Sequence, residues 1–350
     1  MSSELIQALG EIEKERGIPK EILVEAIESA LKTAYKKNFG SLQNVSVRMD
    51  MNSGEVKVYA KKTVVESVKD ERLEVSLAEA RELDPDINIG SDIEVEVTPT
   101  DFGRIAAQTA KQVVIQRLRE AERSIVFNEF SNRAGEIVAG TVQRVEQKTV
   151  IINLGRTEAL MGPQDQMPNE TYEPGQRVKA YISEVKRSAK GPQIFLSRTH
   201  PNFLKRLFEL EVPEIYEGLV EIKSIAREAG SRSKISVHSR DDRVDPVGAC
   251  VGPKGLRVQN IVKELSGEKI DIIKWSPNIE EYIANALSPS KVVSVEAFEN
   301  EKIARVVVPD YQLSLAIGKE GQNARLAAKL TGWKIDIKSE SQAEAAKGGV

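Results

Sequence analysis

The spacing of apolar residues predicts an α+β domain at the start of the chain. Apolar side chains recur with a helical period between Ile22 and Ala34, and alternating apolar and polar residues predict strands over 45–50, 56–68 and 91–98. A long amphipathic helix is predicted from about Phe102 to Phe130. We therefore assign residues 1–130 to an α+β N-terminal domain.

The pattern then changes to short alternating segments separated by glycine and proline turns. Strands are predicted over 137–145, 149–154, 158–161, 177–185 and 193–196. Short strands at this spacing are typical of a small barrel, and we expect an all-β barrel with an OB fold over 131–200.

Two Gly-x-x-Gly loops mark a duplication in the last part of the chain. The first is Gly252-Pro253-Lys254-Gly255, and the second, Gly318-Lys319-Glu320-Gly321, follows 66 residues later. Short apolar helical runs flank each loop, and residues 265–272 resemble 330–337. The repeat predicts two tandem α+β domains, 201–276 and 277–338, each with the order helix, two strands, helix, loop, helix, strand. The tail 339–350 has few large apolar residues, and we expect it to be disordered.

Composition predicts a folded, soluble chain, and charge separates its two parts. No apolar run approaches the length of a membrane span, so no membrane association is expected. The net charge is −3, but residues 1–130 contain 18 basic and 24 acidic residues, whereas 131–338 contain 31 and 27. The second part is therefore the better candidate for binding phosphate. The single cysteine, Cys250, lies in an apolar run and is expected to be buried.

A glycine loop between two helices has the chemistry of an RNA clamp. Glycine lets a nucleic-acid backbone approach closely, and the start of the second helix favours an anion. A KH domain uses such a loop to hold single-stranded RNA. One such motif is more often a structural turn, but two in matching contexts favour the clamp. The candidate residues are Gly252, Pro253, Lys254, Gly255, Arg257, Gly318, Lys319, Glu320, Gly321 and Arg325.

These loops are expected to bind weakly when taken singly. Pro253 has no N–H to donate, and Glu320 repels phosphate. The alternative to phosphate binding is that these cations only lie at solvated helix ends. It applies to Lys254, Lys319, Arg257 and Arg325. Tandem domains can recover affinity by avidity.

The barrel offers a second, weaker candidate surface. An OB fold binds single-stranded nucleic acid through basic residues and stacking aromatic rings. Tyr172, Tyr181 and Phe195 are its only aromatic residues, so we expect weak, salt-sensitive binding, with a solvated surface as the alternative. The basic candidates are Arg144, Lys148, Arg156, Lys186 and Arg187.

Motifs for catalysis are not found in the sequence. Asp101-Phe102-Gly103 matches a kinase triplet without the partner motifs, and Lys254 is followed by glycine where a phosphate-binding NTPase loop has Ser or Thr. His200 and His238 are the only histidines, and neither lies at metal-ligand spacing from cysteine or clustered carboxylates. We expect no catalytic residues, no metal and no cofactor.

The order of these parts resembles the NusA family of bacterial transcription elongation factors, up to about Lys338. The stretches that carry the resemblance are 101–112, 196–201, 245–252, 308–319 and 321–326. The resemblance implies two prokaryotic-type KH domains after the OB barrel. It also implies that residues 1–130 bind core RNA polymerase, that Arg104 and Lys111 meet the nascent RNA hairpin, and that the barrel and KH domains hold single-stranded nascent RNA.

A protein of this family is expected to regulate pausing, intrinsic termination and antitermination, the last together with other Nus factors. We expect a cytoplasmic, non-enzymatic monomer. One alternative is a KH/OB adaptor of RNA degradation or of the ribosome, which would have no affinity for polymerase. Another is a phosphorolytic nuclease with OB and KH domains, but residues 1–130 are too short and wrongly patterned to supply its catalytic domain.

Overall fold

The computed structural model describes residues 2–39 and 44–347. The chain forms two compact units, 1–125 and 126–350. In the part of the chain that is described, no helix combines the length and apolar character needed to cross a membrane.

The first unit packs helices against a small mixed sheet, which confirms the predicted α+β fold. Strand β2 pairs antiparallel with β1 and β4 and parallel with β3. Leu23, Ile27, Val58 and Phe102 lie in its main core. The elements are α1 (Ser2–Arg16), α2 (Lys20–Phe39), β1 (Val45–Met49), β2 (Val56–Val65), β3 (Glu74–Ser76), α3 (Leu77–Leu83), β4 (Asp92–Glu96) and α4 (Phe102–Asn132). Only the part of α4 up to Ile125 belongs to this unit.

A closed five-stranded barrel begins the second unit, as the alternating pattern predicts. Its strands are β5 (Ile137–Glu146), β6 (Thr149–Asn153), β7 (Glu158–Met161), β8 (Arg177–Ser188) and β9 (Gly191–Ser197), closed in the order β5-β6-β7-β9-β8. Val142, Ile152 and Ile182 fill the interior. A Cβ on Gly140 would lie 2.4 Å from Cγ2 of Ile152, so the barrel wall admits no side chain there.

Two α+β domains of the same topology follow the barrel. In each sheet the first strand is antiparallel to the second and the second is parallel to the third. The first domain contains α5 (Pro201–Glu211), α6 (Pro213–Tyr216), β10 (Val220–Glu228), β11 (Arg232–Ser239), α7 (Pro246–Val251), α8 (Leu256–Glu264) and β12 (Lys269–Lys274). The second contains α9 (Ile279–Ala286), β13 (Ser294–Phe298), β14 (Ile303–Val308), α10 (Leu313–Ile317), α11 (Gln322–Thr331) and β15 (Lys334–Ser339). The predicted duplication is thereby confirmed at the level of the fold.

Two buried arginines, Arg198 and Arg227, link the barrel to the first of these domains. Arg198 lies 2.6 Å from Glu170 of the barrel and 3.1 Å from Glu264 of α8. Arg227 and Glu268, 2.9 Å apart, are both fully buried, and Arg227 also donates to the carbonyl of His200. Buried charges of this kind are tolerated only when they are paired and hydrogen-bonded, so separation of the two domains would leave Arg198 and Arg227 without some of their partners.

The two duplicated domains are also packed against each other. Nζ of the buried Lys234 donates to Asp271 (2.9 Å) and to the carbonyl of Ser288 (2.6 Å). Desolvation lowers the pKa of Lys234, against the opposing effect of Asp271. Ala226 of β10 packs in the core of the second domain.

Two local expectations have different outcomes. Cys250 is buried, as expected, and burial raises the pKa of its thiol to about 12. The predicted disorder of 339–350 is wrong for its first part, because β15 continues to Ser339 and a helix, α12 (Glu340–Lys347), follows. Residues 348–350 lie outside the described residues.

Candidate nucleic-acid interface

The first glycine loop is a tight connection between α7 and α8. Gly252 has φ 72° and ψ 175°, Lys254 has φ 52°, and Gly255 has φ 77° and ψ 11°. A Cβ on Gly252 would lie 2.6 Å from Cγ of Arg257, whereas one on Gly255 would meet only Nε2 of Gln259, at 3.6 Å. The first glycine is therefore needed for packing, and the second keeps an open face.

The second loop repeats this backbone conformation between α10 and α11. Gly318 has φ 77° and ψ 172°, Glu320 has φ 53°, and Gly321 has φ 75° and ψ 13°. A Cβ on Gly318 would lie 2.8 Å from the backbone N of Asn323, and one on Gly321 would meet nothing within 4 Å. The same division between a packed and an open glycine holds in both loops.

The loops use some of their own N–H groups internally. The N–H of Gly255 donates to the carbonyl of Gly252 (3.0 Å), and that of Gly321 donates to the carbonyl of Gly318 (3.1 Å). These two N–H groups are therefore not free to donate to a phosphate. Close approach of an anion depends more on the missing side chains and on the exposed lysines.

Lys254 and Lys319 do not occupy equivalent places. The third loop position, with positive φ, is Lys254 in the first loop and Glu320 in the second. Lys319 stands instead where the first loop has Pro253. All four side chains are exposed, so each loop presents one cation, but at different positions.

Arg257 braces the first loop. Its Nη1 donates to the carbonyl of Ala249 (2.7 Å) and to Glu214 of α6 (2.9 Å). The equivalent residue in the second domain is Asn323, which is buried and donates to the carbonyls of Ala316 and Leu287, both at 3.0 Å. The sequence reading missed Asn323, although it lies 66 residues after Arg257.

Arg325 is held by the preceding domain. Its Nε lies 2.6 Å from Oε1 of Glu228 in β10, and its Nη1 donates to the carbonyl of Glu320 (3.1 Å). Hydrogen bonding to Arg325 also lowers the pKa of Glu228. Arg325 is thus beside the second loop as predicted, but its charge is shared with a carboxylate.

The barrel candidates divide into paired and exposed cations. Arg144 lies 2.6 Å from Glu146 and 3.1 Å from Glu158, and these hydrogen bonds raise the pKa of its guanidinium. Two carboxylates therefore cancel its charge locally. Lys148 is exposed in the β5–β6 turn, and the side chain of Arg156 is 76% exposed, 3.8 Å from Glu129.

Lys186 and Arg187 combine charge with aromatic faces. Nζ of Lys186 lies 5.4 Å from the centre of the Phe195 ring and 2.8 Å from Glu184. The guanidinium of Arg187 lies 4.3 Å from the centre of the Phe127 ring. Such pairs give a nucleobase both a stacking face and a cation. Phe127 was missed because it precedes the barrel in sequence, at the end of α4.

Models of four protein families match successive parts of the chain. They are the NusA N-terminal domain (4–124), the S1 RNA binding domain (131–197), the NusA-like first KH domain (198–275) and the NusA-like second KH domain (279–345). A transcription termination/antitermination protein NusA from Halalkalibacterium halodurans is 62% identical over 98% of this chain and 90% of its own length. The Bacillus subtilis protein of that name is also 62% identical, over 98% and 92%.

The chain belongs to the NusA family. A more distant relative of the same name, from Thermus thermophilus, is still 44% identical over 96% of this chain and 89% of its own length. The resemblance recognised in the sequence is thereby confirmed, and so is the fold class of an N-terminal α+β domain, an OB-type barrel and two KH domains.

In this chain the two candidates for hairpin contact lie on α4, within the first unit. Arg104, Gln108 and Lys111 are all exposed. Their spacing of four and then three residues places them on one side of the helix. The opposite side, with Ala106 and Ala110, packs into the core of that unit.

Proposed function

We propose that this chain is an RNA-binding transcription factor that acts on RNA polymerase and regulates pausing, intrinsic termination and antitermination. Its membership of the NusA family supports this function, as does the name of its relatives, transcription termination/antitermination protein. The observation that carries the RNA-binding part is the pair of glycine loops with one backbone conformation, each with an open second glycine. Nascent single-stranded RNA is the ligand we propose for them.

The RNA surface that we propose extends from the loops to the barrel. Gly255, Gly321, Lys254 and Lys319 would meet the RNA backbone, because they are open or exposed. Lys186 and Arg187 would add stacking from the barrel, and Arg187 would supply most of the charge there, because Lys186 is paired with Glu184. Arg144, Arg257 and Arg325 would contribute less directly, since each is engaged with a glutamate.

The first unit is the part that we propose to bind core polymerase. The excess of acidic over basic residues in 1–130 suits a protein partner better than RNA, while Arg104 and Lys111 form a local basic face for a nascent hairpin. Such a protein would act in the cytoplasm as a non-enzymatic monomer and join other Nus factors in antitermination complexes.

A transcription assay on a hairpin-pause template tests this function. Addition of the full chain should lengthen the pause, because polymerase, hairpin and emerging RNA would all be held. No change in pausing, termination or antitermination would contradict the proposal. Retention of core polymerase by the immobilised full chain separates it from the RNA-degradation or ribosome adaptor, which would retain none.

Variants of the open glycines test the RNA surface by direct RNA binding. Gly255→Asp and Gly321→Asp place a negative charge where phosphate must approach, and aspartate is among the residues that tolerate a left-handed conformation. Both variants should keep the native circular dichroism spectrum and bind single-stranded RNA less tightly in moderate salt. Native spectra with unchanged affinity would exclude the loops as clamps.

A further inference from the structure

The turn between β10 and β11 of the first KH domain touches the start of α11, directly after the second glycine loop. Glu228 accepts hydrogen bonds from Nε of Arg325 (2.6 Å) and from Nε2 of Gln322 (2.8 Å). Gln322 also donates to the hydroxyl of Ser231 (2.7 Å). The same Arg325 donates to the backbone carbonyl of Glu320 inside the loop. One short path of hydrogen bonds therefore runs from the first KH domain into the loop of the second.

We propose that Glu228 and Arg325 are positioning residues that make the RNA loop of the second KH domain depend on the first. This inference rests on the proposed RNA-binding function. Arg325 serves here as a brace between domains, and phosphate is contacted by other groups.

The turn that supplies Glu228 is itself held in place from the other side. The N–H of Gly230 donates to the buried Glu268 (3.0 Å), and a Cβ on Gly230 would lie 2.8 Å from Oδ1 of Asn169 in the barrel. The turn thus fills a narrow space between barrel and first KH core. The turn that lies beside Arg325 is therefore held by contacts to both neighbours.

The hydrogen bonds of Arg325 support a bracing role. Its guanidinium uses Nε and Nη2 on the two oxygens of one carboxylate and Nη1 on a carbonyl. This forked arrangement suits arginine and cannot be reproduced by lysine. The Arg325 side chain is 47% exposed and that of Glu228 22%, so the pair is worth no more than about fivefold in an equilibrium constant.

Removal of Glu228 distinguishes bracing from a simple charge effect, because the two predict opposite changes in RNA affinity. Long-range electrostatics alone would make Glu228→Ala bind RNA more tightly, since it removes a negative charge beside the loop. Bracing makes the same variant bind an oligoadenylate about fivefold more weakly. The measurement is a fluorescence-anisotropy titration of the full chain at several salt concentrations.

Arg325 variants provide the second readout. If the arginine contacts phosphate, Arg325→Lys should retain most of the affinity, and Arg325→Gln should reduce the salt slope by about 0.7. If Arg325 is a brace, Arg325→Lys and Arg325→Gln should lose RNA affinity equally, and the salt dependence of binding should not change. The double variant with Glu228→Ala should lose no more than either alone. Lys329→Gln, an exposed cation on the same helix, is the matched charge control and should not reproduce this loss.

Combining Glu228→Ala with a variant of either loop separates positioning of the second loop from general destabilisation of the protein. In a Gly321→Asp chain the second loop is already disabled, so Glu228→Ala should have no further effect on affinity. In a Gly255→Asp chain it should keep its full effect. Wild-type affinity or tighter binding by Glu228→Ala overturns this inference alone, whereas a wild-type chain that binds no RNA overturns the proposed function as well.

Discussion

Each glycine loop contains two glycines with different physical reasons to be glycine. Gly318 has a φ and ψ combination that is almost restricted to glycine, and its missing Cβ makes room for the backbone of Asn323. Gly321 is left-handed but open. The first glycine therefore serves the fold, and the second is free to serve the ligand.

Alanine substitutions should separate these two reasons. Gly318→Ala combines backbone strain with a contact of 2.8 Å to a backbone atom that cannot move away alone, so it should lower the free energy of unfolding of the second KH domain by about 3 kcal/mol. Gly321→Ala should cost only about 1 kcal/mol, for its positive φ. Native-state hydrogen exchange of β14 and β15 amides measures both.

Gly332 gives a matched control for that comparison. It is also left-handed with nothing near its missing Cβ, so Gly332→Ala should resemble Gly321→Ala. Equal effects at Gly318 and Gly321 would contradict the assignment of a packing role to the first glycine.

The sequence contains residue-level information about the loops beyond the glycines themselves. The spacing of 66 that pairs the glycines also pairs Lys254 with Glu320 and Arg257 with Asn323. What it could not show is which carboxylates reach the arginines. Glu214 comes from another helix of the same domain and Glu228 from another domain, and such contacts exist only after packing.

At the scale of elements, regular amphipathic patterns gave the correct structure, and short elements with local caps were missed. Helix α4 starts at Phe102, as predicted, because its apolar side has a long helical period. Helix α3 was not predicted, although Ser76 and Glu79 form a capping box before it. The same kind of signal, Ser339 followed by Gln342, precedes α12.

The prediction of disorder over α12 came from its composition, because small residues give no hydrophobic period. The start of the helix is instead marked by a specific N-terminal cap. The N–H of Gln342 donates to the hydroxyl of Ser339 (3.3 Å), and the N–H of Ser339 donates to the Gln342 side chain (3.1 Å). The N–H of Ser341 donates to Asp310, before α10. The helix is thus attached to the second KH domain through its first turn.

Ser339→Ala should loosen α12 without disturbing the sheet. Loss of an N-cap hydroxyl costs about 1 kcal/mol, so amide exchange in α12 should accelerate while the amides of β14 keep their protection. Glu344→Gln, which changes an exposed residue of the same helix, is the control. Unchanged exchange in the Ser339→Ala variant would show that the cap contributes nothing to the helix.

For the whole molecule, the distribution of charge explains more than its sum. A net charge of −3 argues against RNA binding, yet the acidic excess lies in 1–130 and the basic excess in 131–338. The second unit then joins a barrel and two KH domains through buried polar contacts, from Arg198 to Glu264, from Arg227 to the carbonyl of His200 and from Lys234 to the carbonyl of Ser288. Because the cations of both loops and of the barrel are few or paired with carboxylates, we propose that RNA affinity comes from several weak contacts on one connected surface.

Avidity on such a surface makes the effect of a loop variant depend on the length of the RNA. On a strand long enough to reach both loops, Gly255→Asp or Gly321→Asp alone should weaken binding on the order of 100-fold, because either change removes the second attachment. On a strand that reaches one loop, wild-type binding should be weak and each variant should lose only about twofold, since the other loop still binds. Anisotropy titrations of both strands at one fixed salt concentration measure this difference. Equal losses on short and long strands would mean that the two loops do not hold the same RNA molecule.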